Sequence, residues 1–89
     1  MAIVIINHKV KDFKTWKPYF DADRQRRTEA GIKDIYVATS ASDPNDVHLV
    51  FETDNVAEAQ HMMENQDLRK IMDEAGVISQ PNVTILNKA

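Results

Sequence analysis

The stretch AIVIINH, residues 2–8, decides the fold. It is dominated by β-branched residues and reads as a strand. Its apolar side chains fall on both faces: Ile3 and Ile5 on one, Val4 and Ile6 on the other. A strand in an antiparallel sheet with one wet face should alternate cleanly between apolar and polar. A sheet built on this strand therefore has two faces to cover.

The pattern changes immediately downstream. Asp12 suits a helix N-cap, and Phe13, Trp16 and Phe20 recur at helical spacing. This predicts a helix from residue 12 to about Ala30, ended by Gly31. Pro18 lies too deep for the first turn and predicts a kink, or a short first turn split from the rest. IKDIYVATS, residues 32–40, reads as the second strand, and VHLVFET, residues 47–53, as the third. The intervening turn is expected at Asp43-Pro44-Asn45. Asp54 or Asn55 is expected to cap the next helix, and Asn55 with Glu58 has the spacing of a capping box. A second helix follows in two segments, with Asp67 as the expected second cap and Gly76 as the stop. The last strand is expected at 81–87, with Pro81 suited to a sheet edge.

The order β-α-β-β-α-β, with right-handed crossovers, gives a ferredoxin-like α+β fold. Four antiparallel strands carry two helices on one face. The chain reads as a single domain over residues 1–89. The second face is the problem set by residues 2–8. If the helices lie over Ile3 and Ile5, then Val4, Ile6, Val50 and Leu86 form an exposed patch. Such a patch marks an interface. Burying it would contribute roughly 6–12 kcal/mol before the costs of association. The expectation is a two-fold homodimer packed sheet to sheet. The simpler alternative is a monomer whose second face is covered by the loop between the middle strands and the C-terminal tail.

Composition narrows the function classes. The net charge is −3, which argues against nucleic acid as a partner. No apolar run approaches the roughly 20 residues that span a membrane. With no cysteine, disulfides and thiolate metal sites are excluded. The start MAIVIINHKV lacks the basic opening of a signal peptide, so the expected compartment is the cytoplasm. The three histidines share no metal-ligand spacing, and neither a metal nor another cofactor is expected.

Several runs carry a family resemblance. They are His8-Lys9-Val10-Lys11-Asp12-Phe13, Trp16-Lys17-Pro18, Phe20-Asp21, Asp43-Pro44-Asn45 before VHLVFE, Asp67-Leu68-Arg69 and Ala75-Gly76-Val77. Over nearly its whole length the chain resembles the dimeric α/β-barrel superfamily, and within it the small antibiotic-biosynthesis-monooxygenase-like proteins. That superfamily includes cofactor-free oxygenases of aromatic polyketides, heme-degrading enzymes, isomerases and members without known activity. The resemblance implies a dimer, with a pocket between the first helix and the sheet for a small aromatic or enolisable substrate.

Each candidate site residue also has a plainer role. Trp16 and Phe20 pack as core or line the pocket. Beyond Phe20 the stripe continues through Asp23, Arg24 and Arg27. Either this end is solvated, or an arginine turns inward to hold an anionic or phenolate ligand. Asn7 and His8 end the first strand on opposite faces. With the helices over Asn7, that residue looks into the pocket and His8 toward the partner or the rim. His48 is expected on the barrel side, beside Val50. Cofactor-free oxygenation needs a base near neutral pKa and donors that stabilise an enolate. By analogy with the family, His8, Asn7 and His48 are the catalytic candidates. Trp16, Phe20, Arg27 and Tyr36 are the substrate-binding candidates. The resembling heme-degrading enzymes use an Asn, a Trp and a helical His. Trp16 is on the wrong helix for that pattern, and His61 lies off the apolar stripe of its own.

Overall fold

The computed structural model describes residues 1–89. The elements run β1 (Ala2–Lys9), α1 (Phe13–Ala22), α2 (Arg24–Glu29), β2 (Ile32–Ser40), β3 (Asp43–Thr53), α3 (Val56–Glu64), α4 (Gln66–Glu74) and β4 (Asn82–Asn87). The four strands form one antiparallel sheet in the order β2-β3-β1-β4. This is the ferredoxin-like α+β arrangement, with each expected helix divided in two. No helix is long and apolar enough to cross a membrane.

The helices cover the face opposite to the one expected for β1. Val4 pairs with Phe51, Ile6 with Leu49 and His8 with Val47. Directly opposed residues in an antiparallel pair share a face. The apolar stripe of β3 is buried, so Val4, Ile6 and His8 are buried with it. Ile3, Ile5 and Asn7 lie on the open face with Val50, His48 and Leu86. The strand alone could not reveal this, because its two faces are almost equally apolar. Register with β3 breaks the tie. The open patch thus contains Ile3 and Ile5 where Val4 and Ile6 were expected.

Pro18 does not split α1, which runs unbroken through it. Both Pro18 and Lys14, whose carbonyl loses its partner, are exposed, so water can serve that carbonyl. The break comes at Asp23 instead. There the Phe20 carbonyl accepts from the Asp23 amide and from Arg27 Nη1, and Arg27 has turned inward. Gly31 and Gly76 follow α2 and α4 with φ of +75° and +88°, a region other residues rarely adopt.

Two further details differ from expectation. The chain reverses at Ala41-Ser42, since Ser40 pairs with Asp43. The turn-forming residues Asp43, Pro44 and Asn45 lie in β3, where the register against β2 shifts. Asp43 Oδ1 accepts from the Asn45 amide there. Asn45 then reaches across the fold: its carbonyl accepts from the Val10 amide and its Oδ1 from the Phe13 amide. Asp12 caps α1 by position, but its side chain makes no capping bond. The second correction concerns α4. Its cap is Asn65, which accepts from the Asp67 and Leu68 amides, and not Asp67. At α3 the Asn55 side chain accepts from Glu58 N as the capping-box spacing requires.

Candidate functional site

A cavity of about 550 Å³ opens between the helices and the covered face of the sheet. Its floor is sheet, with His8, Ile6 and Leu49. One wall is the aromatic side of α1, and the opposite wall comes from α3 and α4. The α1 wall is a continuous stack. Phe13 lies 5.7 Å from Trp16, and Trp16 stacks on Phe20 at 5.1 Å. Trp16 also meets His8 edge-on at 5.5 Å. The helical spacing of Phe13, Trp16 and Phe20 places all three rings on the sheet side of α1.

His8 is 4% exposed. Its Nδ1 is the one buried side-chain nitrogen or oxygen without a hydrogen-bond partner. Burial disfavours the imidazolium and lowers the pKa below the usual 6.5. The residue's own backbone and the Asp46 carboxylate pull the other way without offsetting this. His8 is therefore a neutral imidazole at pH 7. Neither its Nε2 nor the Trp16 indole N–H bonds to any group of the chain, and neither is sealed from solvent. Both residues line the cavity. An acceptor of protons and a donor of a hydrogen bond thus stand side by side in an apolar hollow.

The structure divides the sequence-read candidates into two groups. His8, Trp16, Phe20 and Arg27 line the cavity. Asn7, His48 and Tyr36 lie on the open face of the sheet. Asn7 Nδ2 donates to Asp46 Oδ1 at 2.8 Å and to the Val47 carbonyl at 3.0 Å, and lies 3.3 Å from His48 Nε2. This donation, with His48 nearby, holds the Asp46 carboxyl below its usual value. Tyr36 is 56% exposed beside Val50. Arg27 is 4% exposed and already paired: Nε and Nη2 donate to the two Asp34 oxygens at 2.9 and 3.0 Å.

Sequence reasoning missed the wall opposite Trp16. Met62, Met63 and Met72, three of the chain's four methionines, line it with Leu68 and Ile71. The signal was present in α4, where Leu68, Ile71, Met72 and Ala75 form an apolar stripe. Such a stripe normally predicts burial, yet only Ala75 is buried. The others border the void. Methionine is flexible and polarizable, which suits a surface that adapts to its ligand. No cluster of three or more histidine or carboxylate side chains is placed to hold a metal.

Comparison with solved structures gives several likenesses over the full chain. An antibiotic biosynthesis monooxygenase matches with a TM-score of 0.70 at 12% identity, covering 100% of this chain and 99% of the other. A Bordetella bronchiseptica protein classed provisionally as an antibiotic biosynthesis monooxygenase matches with a TM-score of 0.78 at 15% identity, covering 99% and 96%. A conserved protein from Methanosarcina mazei Go1 matches with a TM-score of 0.74 at 13% identity, covering 100% and 94%. These likenesses show a common fold. None of the curated proteins matches the chain. A sequence profile described as "Domain of unknown function (DUF3764)" matches residues 1–85.

Proposed function

We propose, for a chain that belongs to the DUF3764 family and has the fold of antibiotic biosynthesis monooxygenases, that its cavity takes a small aromatic or enolisable molecule and oxygenates it without a cofactor. The observation that carries this reading is the pairing of a neutral, buried His8 with an unpartnered Trp16 N–H in one apolar cavity. A base of this kind removes a proton from an acidic C–H or O–H. The indole N–H then stabilises the oxygen on which the enolate charge collects. The methionine wall packs the apolar body. For an activated methylene, dioxygen is the oxidant. Both C–H bonds of the methylene break, and its carbon is oxidised to a carbonyl. One oxygen atom enters that carbonyl, and the other leaves as water with both hydrogens.

The same reading includes a homodimer joined through the open sheet face, acting in the cytoplasm. Support comes from Ile3, Ile5 and Val50 at the centre of that face, with Leu86 45% exposed and Tyr36 56% exposed around them. Polar groups bound the patch at both ends: Asn7, Asp46 and His48 at one, Glu52 and Lys88, 3.6 Å apart, at the other. An apolar centre with a polar rim is the usual anatomy of an interface. A cysteine-free chain suits a reducing compartment.

Trp16 is the only tryptophan, so its emission reports directly on the cavity. Titration with a panel of phenols and enolisable aromatic ketones is expected to quench it, with oxygen uptake for the substrate. His8→Ala should abolish the uptake and leave the quenching. Quenching without uptake for any member would favour a non-catalytic binding protein. Absence of quenching throughout would overturn the cavity reading itself.

A further inference from the structure

Arg27 invites a role in gripping the ligand, because arginine holds carboxylates through its planar fork. Its geometry points elsewhere. The edge formed by Nε and Nη2 already grips Asp34 with two bonds. Nη1 donates to the Phe20 carbonyl at 2.9 Å. One face of the guanidinium lies 3.7 Å from the centre of the Phe20 ring. Both its charge and its plane are therefore committed within the fold.

The contacts form a chain that ends in the cavity. Asp34 of β2 fixes Arg27, and Arg27 fixes Phe20 from two directions, by its backbone carbonyl and by its ring. Phe20 stacks on Trp16 with 26° between the planes, and Trp16 meets His8 edge-on. A stacked cation over a ring is an orientation-dependent contact, and offset aromatic stacking is too. Each member thus limits the tilt of the next. The Phe20 carbonyl that Arg27 engages lies in the last turn of α1, next to the break at Asp23.

We infer that Arg27 is a positioning residue that, through Phe20, sets the orientation of Trp16 against His8 and so shapes the polar corner of the cavity. The inference extends the cavity reading above, but its main readouts need no ligand. Lysine at this position keeps the charge and loses the planar stack and the fork. Asparagine at position 34 keeps the shape of the anchor and loses its charge.

The test uses the full chain and the variants Arg27→Lys and Asp34→Asn. Folding is checked by far-ultraviolet circular dichroism. Two local readouts follow in the free protein: the tryptophan bands of the near-ultraviolet spectrum and the His8 titration by NMR. The His8 signals are assigned through their loss in His8→Phe. In a folded variant the tryptophan bands are expected to fall by about half, and the His8 midpoint to rise toward its ordinary value near 6.5 as the corner loosens. Affinity for 1-naphthol, the aromatic probe, should fall about tenfold wherever the wild type binds it. Folded variants with unchanged tryptophan bands and an unchanged His8 midpoint would overturn the inference. Should Arg27→Lys not fold, Asp34→Asn decides by the same two readouts, since its side chain is 24% exposed on the edge strand β2. If the local readouts move and the wild type ignores 1-naphthol and every other probe, the positioning role stands and the cavity reading falls.

Discussion

The proposed chemistry rests on one side chain, His8. It costs stability to charge it where it lies, because burial favours the neutral ring. With the folded pKa below the unfolded value, the unfolded chain takes up the proton first as pH falls. Stability is therefore full above the unfolded pKa near 6.5 and is lost as pH falls through the folded value. Urea unfolding followed from pH 7 to pH 5 should show a falling midpoint, and His8→Phe should flatten that slope. A slope of equal size in the variant would place the titrating group elsewhere. The sequence marked His8 as a base but could not say which way it looked. Asn7 and Tyr36 were natural donors by residue type, yet register with β3 sends both to the open face. Residue chemistry is local, whereas orientation depends on a partner strand some 40 positions away.

Elements were more legible than single side chains, because periodicity and caps are written locally. The break between α3 and α4 shows both the strength and the limit of that reading. An interruption was visible in Asn65-Gln66-Asp67, but two residues there can cap a helix. Asn65 takes the role, accepting from Asp67 N at 2.8 Å and Leu68 N at 3.4 Å. Asp67 then falls in the first turn of α4, where its charge favours the helix dipole. Asn65→Ala should cost about 1 kcal/mol, measured by urea denaturation, while Asp67→Asn should cost a few tenths. Equal losses would contradict the capping assignment. Pro18 misled in the opposite sense. Its penalty depends on whether the abandoned carbonyl meets water, and only the fold decides that.

At the scale of the whole molecule, the two-faced apolar strand was the most informative feature of the sequence. It called for a cover on each face, and that need stands although the β1 residues assigned to the two faces exchange places. A single chain buries only 14 of its 89 residues, a small core to stabilise an open sheet. Sedimentation at micromolar concentration should find a species of about twice the 10.2 kDa chain mass. Val50→Asp, at the centre of the open face opposite Ile5 and Tyr36, should reduce it to single chains. A wild type that sediments as one chain would rule out the interface. The cavity beside α1, by contrast, was expected only through the family resemblance, and its α3–α4 wall was not expected at all. A half-turned apolar stripe on α4 reads the same whether it meets protein or empty space.

The reach of Asn45 to α1 bears on the order of events as the chain folds. The amide of Phe13, at the first turn of α1, is satisfied by a side chain 32 positions further on. Asp12, the positional N-cap, bonds none of the first amides of α1 with its side chain. A ten-residue helix is marginal in isolation, and this one lacks its own start signal until β2 and β3 have closed their hairpin. Closing that hairpin needs a two-residue turn, whereas α1 needs a long loop drawn shut first. Helix α1 is therefore expected to arrive late on the folding path, the wall bearing Trp16 docking on a sheet that already exists.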